Sequence, residues 1–277
     1  MRGAYDLQKL RIMTGNRIAA NFKAKLGQKP SEKEETIDEQ GQAILSEIRL
    51  SYKKLTDGLK SFPRQATFKG DELISNYTEL SLIHEYIEME KIENSHFTKL
   101  KNALKDFAIW NDFLEGVKGC GPAMAGIIIS EIDIEKAQYP SSLWAYSGFD
   151  VAGDGKGRSR KKEHLREVEY TDKDGKPAKR VGITFNPWLK TKLYVLATLF
   201  IKSSGPYRES YDNYKNRLEH HISWIDKTKA HRHNAAMRYM IKRFLVDLYK
   251  KWRELEGLPV APEYSEAKLG KEHKKAS

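Results

Sequence analysis

Two stretches of this sequence carry residue types and spacings suited to holding phosphate. The run Gly119-Cys120-Gly121-Pro122-Ala123-Met124-Ala125-Gly126-Ile127-Ile128 reads as the hairpin and second helix of a helix-hairpin-helix. Two glycines permit a tight turn without Cβ clashes, Pro122 suits a first helical position, and the exposed amides there favour a phosphate. On that reading Lys118, Gly119, Gly121 and Ala123 lie at a DNA contact. An ordinary corner between two helices would use the same residues, packed through Phe113, Leu114 and Val117 before it and Ala125, Ile127, Ile128 and Ile129 after it. The second stretch runs from Asp150 to Lys162, glycine-rich and then densely basic. Its glycines let backbone amides approach an anion, and Lys156, Arg158, Arg160, Lys161 and Lys162 supply sequence-independent attraction that salt weakens. The loop is expected to be mobile. A solvated charge run has the same composition, but the hairpin close by in sequence favours nucleic acid.

Metal chemistry has weaker support. His220, His221, His231 and His233 cluster in a basic, partly aromatic segment, yet no acidic or cysteine partner stands at a familiar ligand spacing, which favours a structural or phosphate-facing role. Asp150 and Asp154 sit in glycine-rich company, where aspartate usually forms turns. Cys120 is the single cysteine, which excludes an intrachain disulfide and a thiolate zinc site; between two glycines it reads as a small apolar plug. No metal site is assigned.

The whole chain is basic, with a formal net charge of +11 over 277 residues, so its surface field attracts polyanions. No apolar run approaches the ~20 residues of a membrane span, and Met1 opens no signal peptide. The expected setting is cytoplasmic and nucleoid-associated, without a membrane partner. A hydrophobic content of 39% supports a real core.

The elements that must position these residues are mainly helical. The reading is a long antiparallel coiled-coil helix pair followed by a helical domain with the helix-hairpin-helix and one β-hairpin. Residues 1–35 form an N-terminal helical region ending in the Gln28–Glu35 loop, 36–112 a spacer, 113–256 the nucleic-acid-binding domain, and 257–277 a loose tail. One spacer helix runs through Leu45, Ile48, Tyr52, Leu55 and Leu59 until Pro63. The other runs to the hairpin through Phe97, Leu100, Leu104, Phe107 and Leu114, with Asn111 as a register-setting polar residue. The two seams pair with each other, or with a second copy to give a homo-oligomer. Beyond the hairpin, Tyr139–Phe149 is a short helix capped by Ser141 or Ser142 and stopped at Gly148. Arg166–Tyr170 and Lys179–Phe185 flank an Asp-Gly turn, the pattern of a β-hairpin. A helix from Pro187 buries Leu189, Leu193, Leu196 and Phe200 and carries Lys190. The last helix buries Met237, Ile241, Phe244, Leu248 and Trp252 and turns Arg238, Lys242 and Arg243 to other faces; Lys190, Arg238 and Lys242 are expected to contact DNA.

The order of these pieces resembles a known family. Val117–Ile132 with its Gly-Cys-Gly hairpin, Leu143-Trp144-Ala145-Tyr146-Ser147-Gly148-Phe149, a glycine-rich basic loop, Trp188–Leu193 and Ala235–Ile241 together resemble the C-terminal transposase domain of the Piv/IS-one-ten class of insertion-sequence recombinases. The resemblance covers about half the chain, and the helix pair is similar to that family's spacer. It implies a DNA recombinase of a mobile element or phage, acting in transposition and in some members with a structured RNA. It also implies an N-terminal nuclease-like domain whose acidic quartet binds divalent metal. Met1–Gly27 reads as helix and offers only Asp6, so Mg2+ is expected only through a partner.

The family's serine nucleophile follows the segment matched here by Leu143–Phe149. This chain has Val151–Gly157 there, and the nearest serine is Ser159, set between two arginines that would stabilise developing charge. A linker serine explains it as well. Ser203 and Ser204, before Gly205-Pro206, read as capping and turn residues. The alternative to a recombinase is a nucleic-acid-binding protein derived from one that has kept the grip without the chemistry.

Overall fold

A computed structural model describes residues 2–29, 37–63, 68 and 73–263. The fold is mainly α with one two-stranded antiparallel hairpin, as the periodicities require. It comprises two compact units, Met1–Lys99 and Leu100–Ser277, rather than breaks at 35 and 112. Among the described residues no helix is long and apolar enough to cross a membrane.

The first unit is a three-helix cluster. Helices α1 (Arg2–Lys25), α2 (Glu39–Thr56) and the start of α3 (Tyr77–Leu104) share a core of Ile18, Phe22, Ile44, Leu45, Ile48, Leu80, Ile83 and Tyr86. The N-terminal segment therefore belongs to the same core as the supposed spacer. Antiparallel contacts run between α1 and α3, where Gln8 and Arg11 bind Glu93 near one end and Lys25 binds Glu79 near the other, and between α2 and α3, where Arg49 binds Glu90 and Tyr52 meets His84. Lys23, almost wholly buried, is held by both carboxylate oxygens of Asp38, which also caps α2 through the amide of Gly41.

Two expectations for the spacer are corrected. Helix α2 ends at Thr56, so Leu59 lies beyond it, exposed. The second seam does not run unbroken to the hairpin: α3 stops at Leu104, α4 (Ala108–Asp112) follows after a turn, and Leu114–Gly116 is a single 3-10 turn. Phe107 caps α4 and is exposed, while Asn111 donates its side-chain amide to the Lys105 carbonyl at 2.8 Å. That bond closes the corner instead of setting a coiled-coil register. The Gln28–Glu35 loop falls largely outside the described residues.

The second unit is built on α9 (Lys229–Leu255), which contacts α4, α6 (Pro140–Ser147), α7 (Pro187–Ser203) and α8 (Pro206–Glu219). The faces expected on α7 and α9 are buried residue for residue: Leu189, Leu193, Leu196 and Phe200 on one, Met237, Ile241, Phe244, Leu248 and Trp252 on the other. Phe200, Tyr207 and Phe244 meet with ring centroids 4.8–5.5 Å apart, the contacts that lock α7 and α8 onto α9. Strands β1 (Arg166–Thr171) and β2 (Pro177–Gly182) pair from Arg166↔Gly182 to Thr171↔Pro177, with Gly175 at positive φ in the turn. Residues 257–263 are not loose. The buried Arg253 guanidinium donates to the carbonyls of Pro259, Ile134 and Ala137, and Arg243 binds the carboxylate of the buried Glu263. The rest of the expected tail lies outside the described residues.

Candidate functional site

Helix α6 starts the site. Pro140 occupies its first turn and Gly148 ends it in the left-handed conformation, φ 71°. A Cβ at Gly148 would lie 2.7 Å from the Phe185 ring, so glycine is demanded twice over. Neither expected serine is the N-cap; Tyr139 holds that place, and Ser142 accepts its amide from the third helical position at 3.4 Å.

The glycine-rich segment leaving Gly148 folds back on itself. Val151 bridges Gly157, the Ala152 amide donates to the Lys156 carbonyl at 2.7 Å, the Arg158 amide to the Asp150 carbonyl at 3.1 Å, and Gly155 turns the tip at φ 76°. Several of the amides expected to await an anion are therefore engaged within the loop. The Gly155 amide is used by the Ala152 carbonyl and the Lys156 amide by the Asp154 carboxylate.

The closed loop gathers cations from three distant stretches. Arg158 grips Asp150 through three hydrogen bonds of 2.6–3.1 Å. Lys190, on the first turn of α7, donates its ammonium to the Arg158 carbonyl and lies 4.6 Å from the Phe185 ring centroid. The Arg238 guanidinium from α9 presses on Gly157 so closely that a Cβ there would sit 2.5 Å from its Cζ. Lys242, one turn further along α9, lies 4.7 Å from the Trp144 ring centroid, and the Trp144 indole donates to the Lys242 carbonyl. Burial and the neighbouring Arg238 push both lysines below the ordinary ammonium value, with Asp150 opposing; Arg158 also lowers Lys190. The arrangement therefore sets four cations against the Asp150 carboxylate.

Ser159 continues from this cluster into a second constellation. Its amide and its hydroxyl both lie 2.9 Å from Nδ1 of His164, whose side chain is only 2% exposed. Nε2 of the same imidazole lies 3.2 Å from Oδ2 of Asp154. An amide can only donate, so Nδ1 is the unprotonated nitrogen and the proton sits on Nε2, facing the carboxylate. The Lys156 amide, and after it His164, hold the Asp154 carboxyl below its usual value. Asp154 forms the expected turn and orients a histidine that sequence reading passed over.

The expected hairpin lies elsewhere in this unit. Gly119 has φ 93°, and a Cβ there would meet Ser203 Oγ at 3.0 Å, Phe200 at 3.1 Å and the Leu199 backbone at 3.2 Å. Its freedom serves packing against the C-terminal end of α7. Gly121 has an ordinary extended backbone, φ −75°, with open space around it, and caps α5 (Pro122–Glu131). Lys118 accepts a bond from Ser203 through its carbonyl, and Ala123 lies on the first turn of α5. Lys190 stands about ten residues before this contact on α7, so a rise of ~1.5 Å per residue puts roughly 15 Å between hairpin and cluster. Lys156, Arg160, Lys161 and Lys162 are exposed along the loop. The hairpin helices also differ from expectation, because the segment before the turn is a 3-10 turn and not a helix.

Cys120 is buried, and burial pushes its thiol up to about 12, as befits a plug. Ser203 and Ser204 serve the α7 terminus, Ser204 as its left-handed cap. His220, His221, His231 and His233 bind local partners, His233 through a 2.6 Å bond to Tyr211. Among the described residues no three His, Cys, Asp or Glu side chains converge in a way that could hold a metal ion. Comparison with protein-family models, curated proteins and solved structures finds no match.

Proposed function

We propose that this protein binds duplex DNA through its phosphate backbone at the loop cluster, as a transposase- or recombinase-type DNA-binding protein of a mobile element or phage. The observation that carries the reading is the convergence of Arg158, Lys190, Arg238 and Lys242 on one partly buried position. Burial, and after it Arg238, hold the Lys190 and Lys242 ammonium groups below their ordinary value, and a phosphate would supply the negative charge that favours their charged forms. Exposed Lys156, Arg160, Lys161 and Lys162 extend the positive track, and Trp144 beside Lys242 gives it an aromatic edge. Backbone contacts of this kind position a duplex and carry no sequence information. Structured RNA is a second polyanion for the same track; Mg2+ enters only with a partner.

The test is duplex affinity measured across a salt series for the wild type and for a Lys190→Gln, Arg238→Gln, Lys242→Gln variant, with structured RNA in parallel. Each phosphate contact contributes about 0.9 to the slope of log affinity against log salt, so loss of three flattens it by about 2.7. An unchanged slope in a folded variant refutes the site. A flattened slope for RNA with none for duplex moves the proposal to RNA.

A further inference from the structure

We propose that the β-hairpin is a two-stranded ribbon that enters the major groove of the bound duplex and reads a guanine through Arg180. The proposal rests on the phosphate-binding reading above, which holds a duplex without selecting its sequence, and it names the part that selects.

The two strands leave their faces uncovered. No residue of β1 or β2 is buried; Val168, Ala178 and Gly182 are half-buried and the rest are exposed. Neither strand packs extensively against a helix. A lone two-stranded hairpin is marginal in water and gains stability from whatever covers a face. Six residues at ~3.3 Å make the ribbon ~20 Å long, and a major groove about 12 Å wide admits such a ribbon.

The register sorts the charges. Side chains alternate between faces, so Arg166, Val168 and Tyr170 share one face with Ala178, Arg180 and Gly182 across the ladder, and no carboxylate stands among them. The Arg180 guanidinium lies 5.2 Å from the Tyr170 ring centroid, a diagonal contact across this face that orients the side chain. A ring contact spends none of the five N–H donors of a guanidinium. Arg166, at the root, donates instead to the carbonyls of Glu163 and Leu165, which leaves Arg180 as the reader. Glu167 and Glu169 fall on the opposite face, where they bind Lys179 at 3.1 and 3.7 Å, and at the tip the Asp172 carboxylate is taken up by the amides of Asp174 and Lys176. One face is therefore cationic while the strand carboxylates are held on the other, a polarity complementary to the negative potential of DNA.

Both roots of the ribbon are built into the phosphate site. Before β1, His164 accepts the Ser159 amide at 2.9 Å, next to Arg158 of the cluster. After β2, the buried Phe185 ring lies close against Gly148 and 4.6 Å from the Lys190 ammonium. The ribbon stands beside the cations, so a phosphate held by them puts the edge of a groove within its reach. Guanine suits a guanidinium because its O6 and N7 accept two N–H groups side by side. The A-form major groove of RNA is too deep and narrow to be read in this way, which commits the ribbon to DNA.

The experiment uses the full chain to select duplexes from a pool with a randomised window. Affinity is then measured, at one salt concentration, for the selected duplex with guanine or 7-deazaguanine at each enriched guanine. The replacement removes N7, an acceptor in the major groove alone. The wild type is expected to enrich a guanine-containing sequence and to lose roughly five- to 150-fold in affinity on replacement at one guanine, the discrimination of a single bidentate pair. Arg180→Gln should be indifferent to the replacement. A Glu167→Gln, Glu169→Gln double variant removes both partners of Lys179 and disturbs the ribbon from its other face; it should keep the full N7 dependence, and loss of the dependence in both variants makes Arg180 a structural residue and overturns its role as reader.

A wild type that enriches no sequence or is indifferent to 7-deazaguanine, or an Arg180→Gln variant that keeps the dependence, also overturns the proposal. Salt-dependent binding with no sequence preference removes the reading and leaves the phosphate site, whereas no salt-dependent binding to any duplex removes both. Selective binding of structured RNA through Arg180, without duplex binding, gives the ribbon to RNA and overturns the commitment to DNA. Sedimentation without nucleic acid covers the remaining occupant: a wild type that self-associates where Arg180→Gln does not gives the face to a second copy and overturns the reading.

Discussion

Replacing Asp150 by asparagine isolates the electrostatics of the cluster. Asp150 accepts three hydrogen bonds from Arg158 and is the carboxylate that opposes the mutual repulsion around Lys190 and Lys242. Breaking a fully buried ion pair costs about 3–5 kcal/mol because the surviving charge is left uncompensated. Here the partners retain 16% and 19% side-chain exposure, so water recovers part of that, and a loss of about 2–3 kcal/mol is expected. In a domain of this size 1 kcal/mol moves Tm by ~2–4 °C, which gives a fall of roughly 4–12 °C in a low-anion buffer. The variant also frees the Arg158 guanidinium, so an added anion should recover stability more strongly than in the wild type. A duplex present at a hundred times its Kd adds about 2.7 kcal/mol by linkage and should return the variant close to the unliganded wild-type Tm. Thermal melts followed by circular dichroism, with a sulfate or duplex titration, provide the readout. A Tm within about 1 °C of the wild type without anion, or an anion response no larger than the wild type's, would refute the reasoning.

The two hairpin glycines should separate in an alanine test. Gly119→Ala forces a side chain into a left-handed backbone and against α7, costing about 2–4 kcal/mol in denaturant titration, whereas Gly121→Ala has space and ordinary dihedrals and should cost under about 1 kcal/mol. Gly121→Ala is accordingly the clean probe of the hairpin in duplex binding, and unchanged affinity would remove it from the contact list. With its thiol pushed up to about 12, Cys120 is ionised in roughly one molecule in 10⁴ at pH 8, against about a quarter in an unfolded chain. Disulfide-reagent labelling at pH 8 should therefore track global opening and accelerate sharply in denaturant; fast labelling of the native protein would contradict the buried plug.

Periodicity was legible where one apolar face meets one core. Leu189, Leu193, Leu196 and Phe200, or Met237, Ile241, Phe244 and Leu248, recur at helical spacing because α7 and α9 each present such a face. The break between Leu104 and Leu114 left no such trace, since no glycine or proline marks it and apolar spacing continues through it. The corner is fixed by the Asn111 bond to Lys105 and by burial of Ile109 and Trp110. In the site, Lys190, Arg238 and Lys242 were recognisable as cations on helices, but their convergence depends on how α7 and α9 cross. His164 was the residue missed. The spacing of five that links Asp154 to Ser159 and Ser159 to His164 has no meaning until the loop folds back through Ala152 and Lys156.

Helix α7 also works as a ruler. Its 17 residues span about 25 Å, with the cation cluster at its first turn and the Gly119 corner packed on its last. A duplex lying along it advances ~3.4 Å per base pair, so touching both the cluster and the corner, roughly 15 Å apart, takes about four to five base pairs. Shorter duplexes would engage one end at a time, and affinity plotted against duplex length should rise in a step near that value. The position of the step reads out whether the protein holds its ligand at one point or two.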